Sequence, residues 1–188
     1  NSDDLLYILQ SLCGTYGVYA PVPYDWIVRD VEKHISDIAK AEPRERRLLQ
    51  RELRWGKWVT QVTNCSPQGN TGWSAPQGGV HWCLTSVLRS AKPSALVWDS
   101  LTHSDYSEPV ATALENLCGK ARVVHHVTHQ QRDGWRCGYI TVWWAAHVHM
   151  FGEDGGRSMM QDPPAIPPGW EQVVWLLLQL RDNGVESV

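Results

Sequence analysis

The sequence predicts an α+β domain. Helix-period segments lead the chain, runs of strand length occupy its middle, and strand and helix patterns then mix, with no internal repeat. Most of these segments are closed by Gly, Pro or Asn punctuation.

Taken in order, "SDDLLYILQSLCG" reads as a helix with Ser2 as its N-cap, acids at the positive end of its dipole and Gly14 at its stop. "YGVYAPVPY" is a proline-braced extended segment. "DWIVRDVEKHISDIAKAE" predicts a second helix capped by Asp25, with Ile27, Val31, Ile35 and Ile38 on one face. Pro43 fits the first turn of a third, "PRERRLLQRELRW", stopped by Gly56. "KWVTQVT" alternates as a strand does, and "NCSPQGNTGWSAPQGG" is a long loop by composition. "VHWCLTSVL" and "SALVWD" are two strands joined by a turn around Lys92 and Pro93. "EPVATALENLCG" predicts a helix, "ARVVHHV" a strand, and "CGYITVWWAAHVHMF" a strongly apolar helix. After "DPPAIPPG", a stiff linker, "WEQVVWLLLQLRDNG" makes a last helix with a glycine stop; its "VVWLLLQL" tract is expected to be core or packing, too short for a membrane span.

The 188 residues fit a single domain, large enough to bury roughly 70% of its unfolded surface. A net charge of -3 gives no electrostatic footprint for nucleic acid, and neither a signal peptide nor a membrane span is visible. Five cysteines, odd in number and without C-x-x-C spacing, argue against a disulfide framework or zinc ribbon and for free thiols in a reducing compartment, cytoplasmic or nuclear. Histidines 125, 126, 129, 147 and 149 show no spacing that fits zinc, so neither metal nor cofactor is expected. Eleven tryptophans against one phenylalanine suggest aromatic rims and grooves as well as core. The five arginines of "PRERRLLQRELR" read as a solvated helix face, with docking to an acidic patch as the alternative.

One thiol has partners. Cys137 stands where a helix is predicted to begin, so unsatisfied N–H groups and the macrodipole would favour its thiolate. Gly134 and Gly138 allow close backbone approach on either side. His81 opens one predicted strand and Asp99 closes the next; if the two pair as a hairpin, imidazole and carboxylate meet at one sheet edge. Gln131, six residues before the cysteine, offers an amide donor for an oxyanion, with Gln130 as its rival.

These stretches resemble a family. "HWCLTSVLRSAKPSALVWDSL" is similar to the His-Trp-x-Leu … Asp-Ser-Leu segment of the Ulp/SENP (clan CE) cysteine proteases, and "QRDGWRCG" to their Gln-x-x-Gly-x-x-Cys-Gly segment. The resemblance covers residues 80 to 140 and implies an Ulp/adenain-like fold, a central mixed β-sheet flanked by helices with the catalytic Cys at a helix N-terminus. It implies His81 as base and acid, Asp99 as its orienter, Cys137 as nucleophile and Gln131 as oxyanion donor. A papain order is ruled out, because only about fifty residues follow Cys137. The family threads the Gly-Gly tail of a ubiquitin-like modifier between two tryptophans. Trp82 matches one position; Trp26, whose acid falls one residue late, or Trp73 matches the other.

The expectation is therefore one catalytic domain over 1–188, with a variable recognition region at 1–75, a catalytic core at 76–151 and the proline linker with C-terminal helix at 163–188. It would be a monomeric thiol isopeptidase, a deubiquitinase or deSUMOylase acting on conjugates of ubiquitin, SUMO or NEDD8. A polyprotein protease cutting at Gly-Gly-x, a Yop-type acetyltransferase and an inactive modifier-binding module are the alternatives. A host enzyme fits about as well as a viral enzyme or a microbial effector working in host cytosol.

Overall fold

The computed structural model describes residues 2–13, 22–45, 58–65, 81–90, 92–101, 105–133, 136–159 and 163–184. The elements are α1 (Ser2–Cys13), β1 (Val22–Pro23), α2 (Tyr24–Lys40), β2 (Trp58–Cys65), β3 (His81–Leu88), β4 (Ser94–Asp99), α3 (Glu108–Cys118), β5 (Val123–Val127), α4 (Cys137–Met159) and α5 (Trp170–Asp182). The strands form one mixed sheet in the order β1-β2-β3-β4-β5, parallel at its two outer pairs and antiparallel between β2, β3 and β4. The α+β class and the flanked mixed sheet are as expected.

Alternation along the central strands divides the core into two layers. Cys83, Val87, Ala95 and Val97 pack beneath Ile27 and Val31 of α2 and Val110, Ala111 and Leu114 of α3. On the other face Leu84, Leu96 and Trp98 meet Ile140, Trp144 and Val148 of α4, while Val62 and Trp82 join α1, α4 and α5.

Local departures from the sequence reading have physical causes. Helix α2 starts at Tyr24, one residue before the expected cap, and Asp25 lies in the first turn, ion-paired to Arg29 at 3.2 Å. Helix α4 continues past Phe151 to Met159, because interior glycines cost a helix about 1 kcal/mol each without forbidding it. The chain turns helical at Pro43 as predicted, but the arginine-rich remainder, Gly14, most of "YGVYAPVPY" and the loop from 66 to 80 lie outside the described residues.

The proline-rich stretch, expected as a linker, runs along α4. Trp143 Nε1 donates to the Ala165 carbonyl at 3.1 Å, Trp144 Nε1 to Pro164 at 3.2 Å, and Trp170 Nε1 to Tyr139 at 2.6 Å. Arg181 of α5 closes on Asp4 of α1 at 2.6 Å. The "VVWLLLQL" tract packs, as expected, through Val174, Leu177 and Leu178, with Trp170 buried just ahead of it, whereas Val173, Trp175, Leu176 and Leu180 are exposed, Trp175 by 60%. A helix apolar all round, packed on one side only, must leave its other side in solvent. No described helix is long and apolar enough to cross a membrane.

Candidate active site

Topology brings three chain-distant groups to one end of the sheet. His81 is the first residue of β3, Asp99 the last of β4 and Cys137 the first of α4. Pairing of Thr85 with Val97 puts odd-numbered residues of both strands on one face, so His81 and Asp99 share it. After β5, Thr128 and Gln131 donate their backbone N–H groups to the carbonyls of Asp99 and Ser100, both at 2.8 Å. Between them His129 takes φ 55°, the left-handed conformation that turns the chain back toward Cys137.

His81 Nε2 and Asp99 Oδ1 are 2.7 Å apart, and neither side chain is accessible. The Leu101 backbone N–H also donates to Oδ1, at 2.9 Å. Burial alone would push His81 towards neutrality, but its hydrogen bonds to Asp99 and Cys137, with their charges, raise its pKa from 6.5 to about 10. Burial likewise disfavours the Asp99 carboxylate, yet the bond to His81 and the nearby donors hold its pKa below 3.8. With Nε2 on the carboxylate, Nδ1 is the ring nitrogen left for the sulfur. This is the arrangement of a base with its orienter and its nucleophile. By contrast, burial pushes up the thiols of Cys13, Cys65 and Cys118, which makes them poor nucleophiles. None of the five cysteines forms a disulfide among the described residues.

Gln131 is buried and doubly held. Its Oε1 accepts from Ser100 Oγ at 2.8 Å and its Nε2 donates to the Asp133 carbonyl at 2.6 Å, leaving the second amide N–H uncommitted by these bonds. Among the described residues its rival Gln130 has no such anchor, and its buried side-chain carbonyl has no hydrogen-bond partner. Arg136 ties the approach to α4 through Asp133 at 2.8 Å and Glu171 at 3.0 Å.

Two residues of the site escaped the sequence reading. Ser100, which orients Gln131, was visible in the Asp-Ser-Leu segment but carried no expected role. Thr141 lies one turn after Cys137, its hydroxyl 2.7 Å from the Cys137 carbonyl and 3.1 Å from that of Trp82, so it stitches the start of α4 to the strand that carries His81.

The aromatic residues divide. Trp82 is 7% exposed and packs with Leu5, Val62 and Cys137. A Cβ at Gly138 would lie 3.7 Å from Trp82 Cδ1 and 3.1 Å from Leu5, so glycine there permits close helix packing. Trp26 is 46% exposed. It sits three residues after Pro23, and Pro23, Asn64 and Trp82 are successive partners across β1, β2 and β3. Trp26 therefore lies at the His81 end of the sheet. Trp73 and Gly134 fall outside the described residues. Among the described residues no three His, Cys, Asp or Glu side chains converge to hold a metal ion.

Comparison with solved structures decides the fold. A cysteine-to-alanine mutant of Xanthomonas XopD superposes with a TM-score of 0.51 at 17% identity, covering 95% of this chain and 97% of that one. The chain has the Ulp-type cysteine-protease fold. HopZ1a in complex with IP6 and CoA matches at 0.51 and 12% identity over 99% of this chain, which spans 53% of that one. Xanthomonas campestris effector protein XopD bound to ubiquitin aligns at 0.44 and 16%, over 92% of this chain and 88% of that chain. No family model and no curated protein matches the sequence.

Proposed function

We propose that this protein is a thiol isopeptidase that cleaves after the terminal Gly-Gly of ubiquitin or a ubiquitin-like modifier. The observation that carries the reading is the buried His81–Asp99 pair, hydrogen-bonded onward to a cysteine at the N-terminus of α4. Cys137 thiolate attacks the terminal glycine carbonyl, forming a C–S bond, and the oxyanion is met by the Cys137 backbone N–H and the Gln131 amide. His81 delivers its proton to the lysine amine as the C–N bond breaks. Water then attacks the thioester, His81 takes one of its protons, and the C–S bond breaks to release the thiolate and the modifier's carboxylic acid, which gives its remaining proton to solvent.

Trp26, exposed at the site end of the sheet, is assigned to the Gly-Gly passage. Trp82, largely enclosed, offers that passage at most one edge. The test is a panel of ubiquitin, SUMO and NEDD8 tipped with an electrophile at the C-terminus. One member should become covalently attached to Cys137, and Cys137→Ala should prevent it while retaining non-covalent binding. Absence of labelling by every member would reject the reading. HopZ1a carries the same fold and was solved with CoA, so acetyl-CoA is the second probe. Acetylation of Cys137 in place of modifier labelling would assign acyl transfer to an acceptor other than water.

A further inference from the structure

Behind Asp99 lies a second polar pair that the mechanism above does not use. Ser107 is the N-cap of α3, yet its hydroxyl makes no capping bond; position N2 is Pro109, which has no N–H to offer. Instead Ser107 Oγ, fully buried, lies 2.8 Å from His125 Nε2. His125 is paired with Val97 in the β4–β5 register, so it shares a sheet face with Asp99, two residues further along β4. Asp99 Oδ2 is buried and takes no close hydrogen bond among the described residues, an acceptor that calls for a donor. The Ser107 hydroxyl is among the groups whose hydrogen bonding favours the Asp99 carboxylate, and it has a proton to give.

We propose that Ser107 and His125 are positioning residues for the triad, His125 Nε2–H donating to Ser107 Oγ and the Ser107 O–H donating to Asp99 Oδ2. A hydroxyl has one proton and can both accept and donate, so the bond from His125 is what directs the Ser107 proton at the carboxylate. That requires the neutral Nε2–H tautomer. Burial lowers the His125 pKa, against the opposing fields of Asp99, Glu108 and Glu115 and with the help of His126. The carboxylate would then be held at both oxygens, Oδ1 by His81 and Leu101, Oδ2 by Ser107.

This inference rests on the thiolate–imidazolium reading of the site, and the experiment separates the two. The rate of Cys137 alkylation by iodoacetamide, resolved by peptide mass spectrometry, is followed from about pH 4 to pH 9 in the intact protein and in Ser107→Ala, Ser107→Thr, His125→Gln and His125→Asn. The acid limb of this rate in the unaltered protein is the reference. Ser107→Ala and His125→Asn should move that limb upward by about half to one pH unit, because a carboxylate that loses a donor protonates sooner. Ser107→Thr keeps the hydroxyl and His125→Gln keeps an N–H near the Nε2 position, so both should restore the original limb. An unmoved limb in folded Ser107→Ala and His125→Asn overturns the proposal. Should Ser107→Ala fail to fold, the His125→Asn and His125→Gln comparison decides. If Cys137 of the unaltered protein is not alkylated ahead of the other four cysteines, the proposed function fails instead.

Discussion

His81 and Asp99 are hydrogen-bonded without being cross-strand partners. The register that sets Leu84 against Trp98 brings Asp99 level with Cys83, so the imidazole reaches diagonally along one sheet face to its carboxylate. That reach places the ring over the open end of β3, where α4 begins. Asp99→Asn would keep the shape of the pair but lose the charge that favours the imidazolium. Steady-state kinetics should show kcat reduced by about 10³ to 10⁴-fold. A loss under tenfold would remove Asp99 from the mechanism.

The same pair makes stability depend on pH at both ends. The folded pKa of His81 is raised from 6.5 to about 10, so its contribution is complete below about pH 6.5 and is lost as pH rises through about 10. Asp99 is depressed below 3.8, so its contribution is complete above that value and is lost as pH falls through the lower folded pKa. Thermal melts of the protein and of His81→Gln should therefore differ most between about pH 4 and pH 6.5 and converge toward pH 10. A gap that stays constant from pH 6 to 10 would contradict the raised pKa.

Gln131→Ala should lower kcat by about 10² to 10³-fold with little change in KM, the signature of an interaction made only in the transition state. Ser100→Ala leaves the amide present but unanchored at Oε1, and its loss should be smaller. Equal losses in the two variants would point to a collapse of the loop in place of a lost oxyanion donor.

The two tryptophans should separate cleanly. Trp82→Ala empties a core position and should destabilise by about 3 to 5 kcal/mol in denaturant titration. Trp26→Ala, at a half-exposed position, should leave stability within about 0.5 kcal/mol while raising KM for a Gly-Gly-ended substrate. Unchanged KM in Trp26→Ala would exclude it from the substrate passage.

Thr141→Val preserves volume but removes the hydroxyl that joins the first turn of α4 to Trp82. The expected destabilisation is about 0.5 to 1.5 kcal/mol, because a buried hydrogen bond to the Trp82 carbonyl is lost. A shift of the sulfur relative to His81 should cost up to about 10²-fold in kcat. Labelling that survives unchanged in a destabilised variant would limit Thr141 to the fold.

The legible part of this site was its edges. His81, Asp99 and Cys137 each begin or end an element, and boundary chemistry is written locally: glycines before β3, a short apolar run closing on an acid, a polar approach before an apolar helix. The family resemblance then supplied the order of roles. What stayed hidden depends on neighbours distant in the chain. Strand β1 is two residues long and exists only by pairing with Thr63 and Asn64, too short for any periodicity. The exposed side of α5 could not be told from its buried side, since both are apolar. Ser107 carries no signal in the sequence beyond standing before a predicted helix, and only its distance to His125 reveals that it points into the sheet.

The bonds that run from the Trp143, Trp144 and Trp170 indoles to backbone carbonyls bind the tail of the chain to the shaft of the nucleophile's helix. Cys137 is thus buttressed from behind by residues that never approach a substrate. A single proteolytic nick shortly before Pro163 would leave every reactive group chemically intact and still slacken the mount on which the sulfur is aimed.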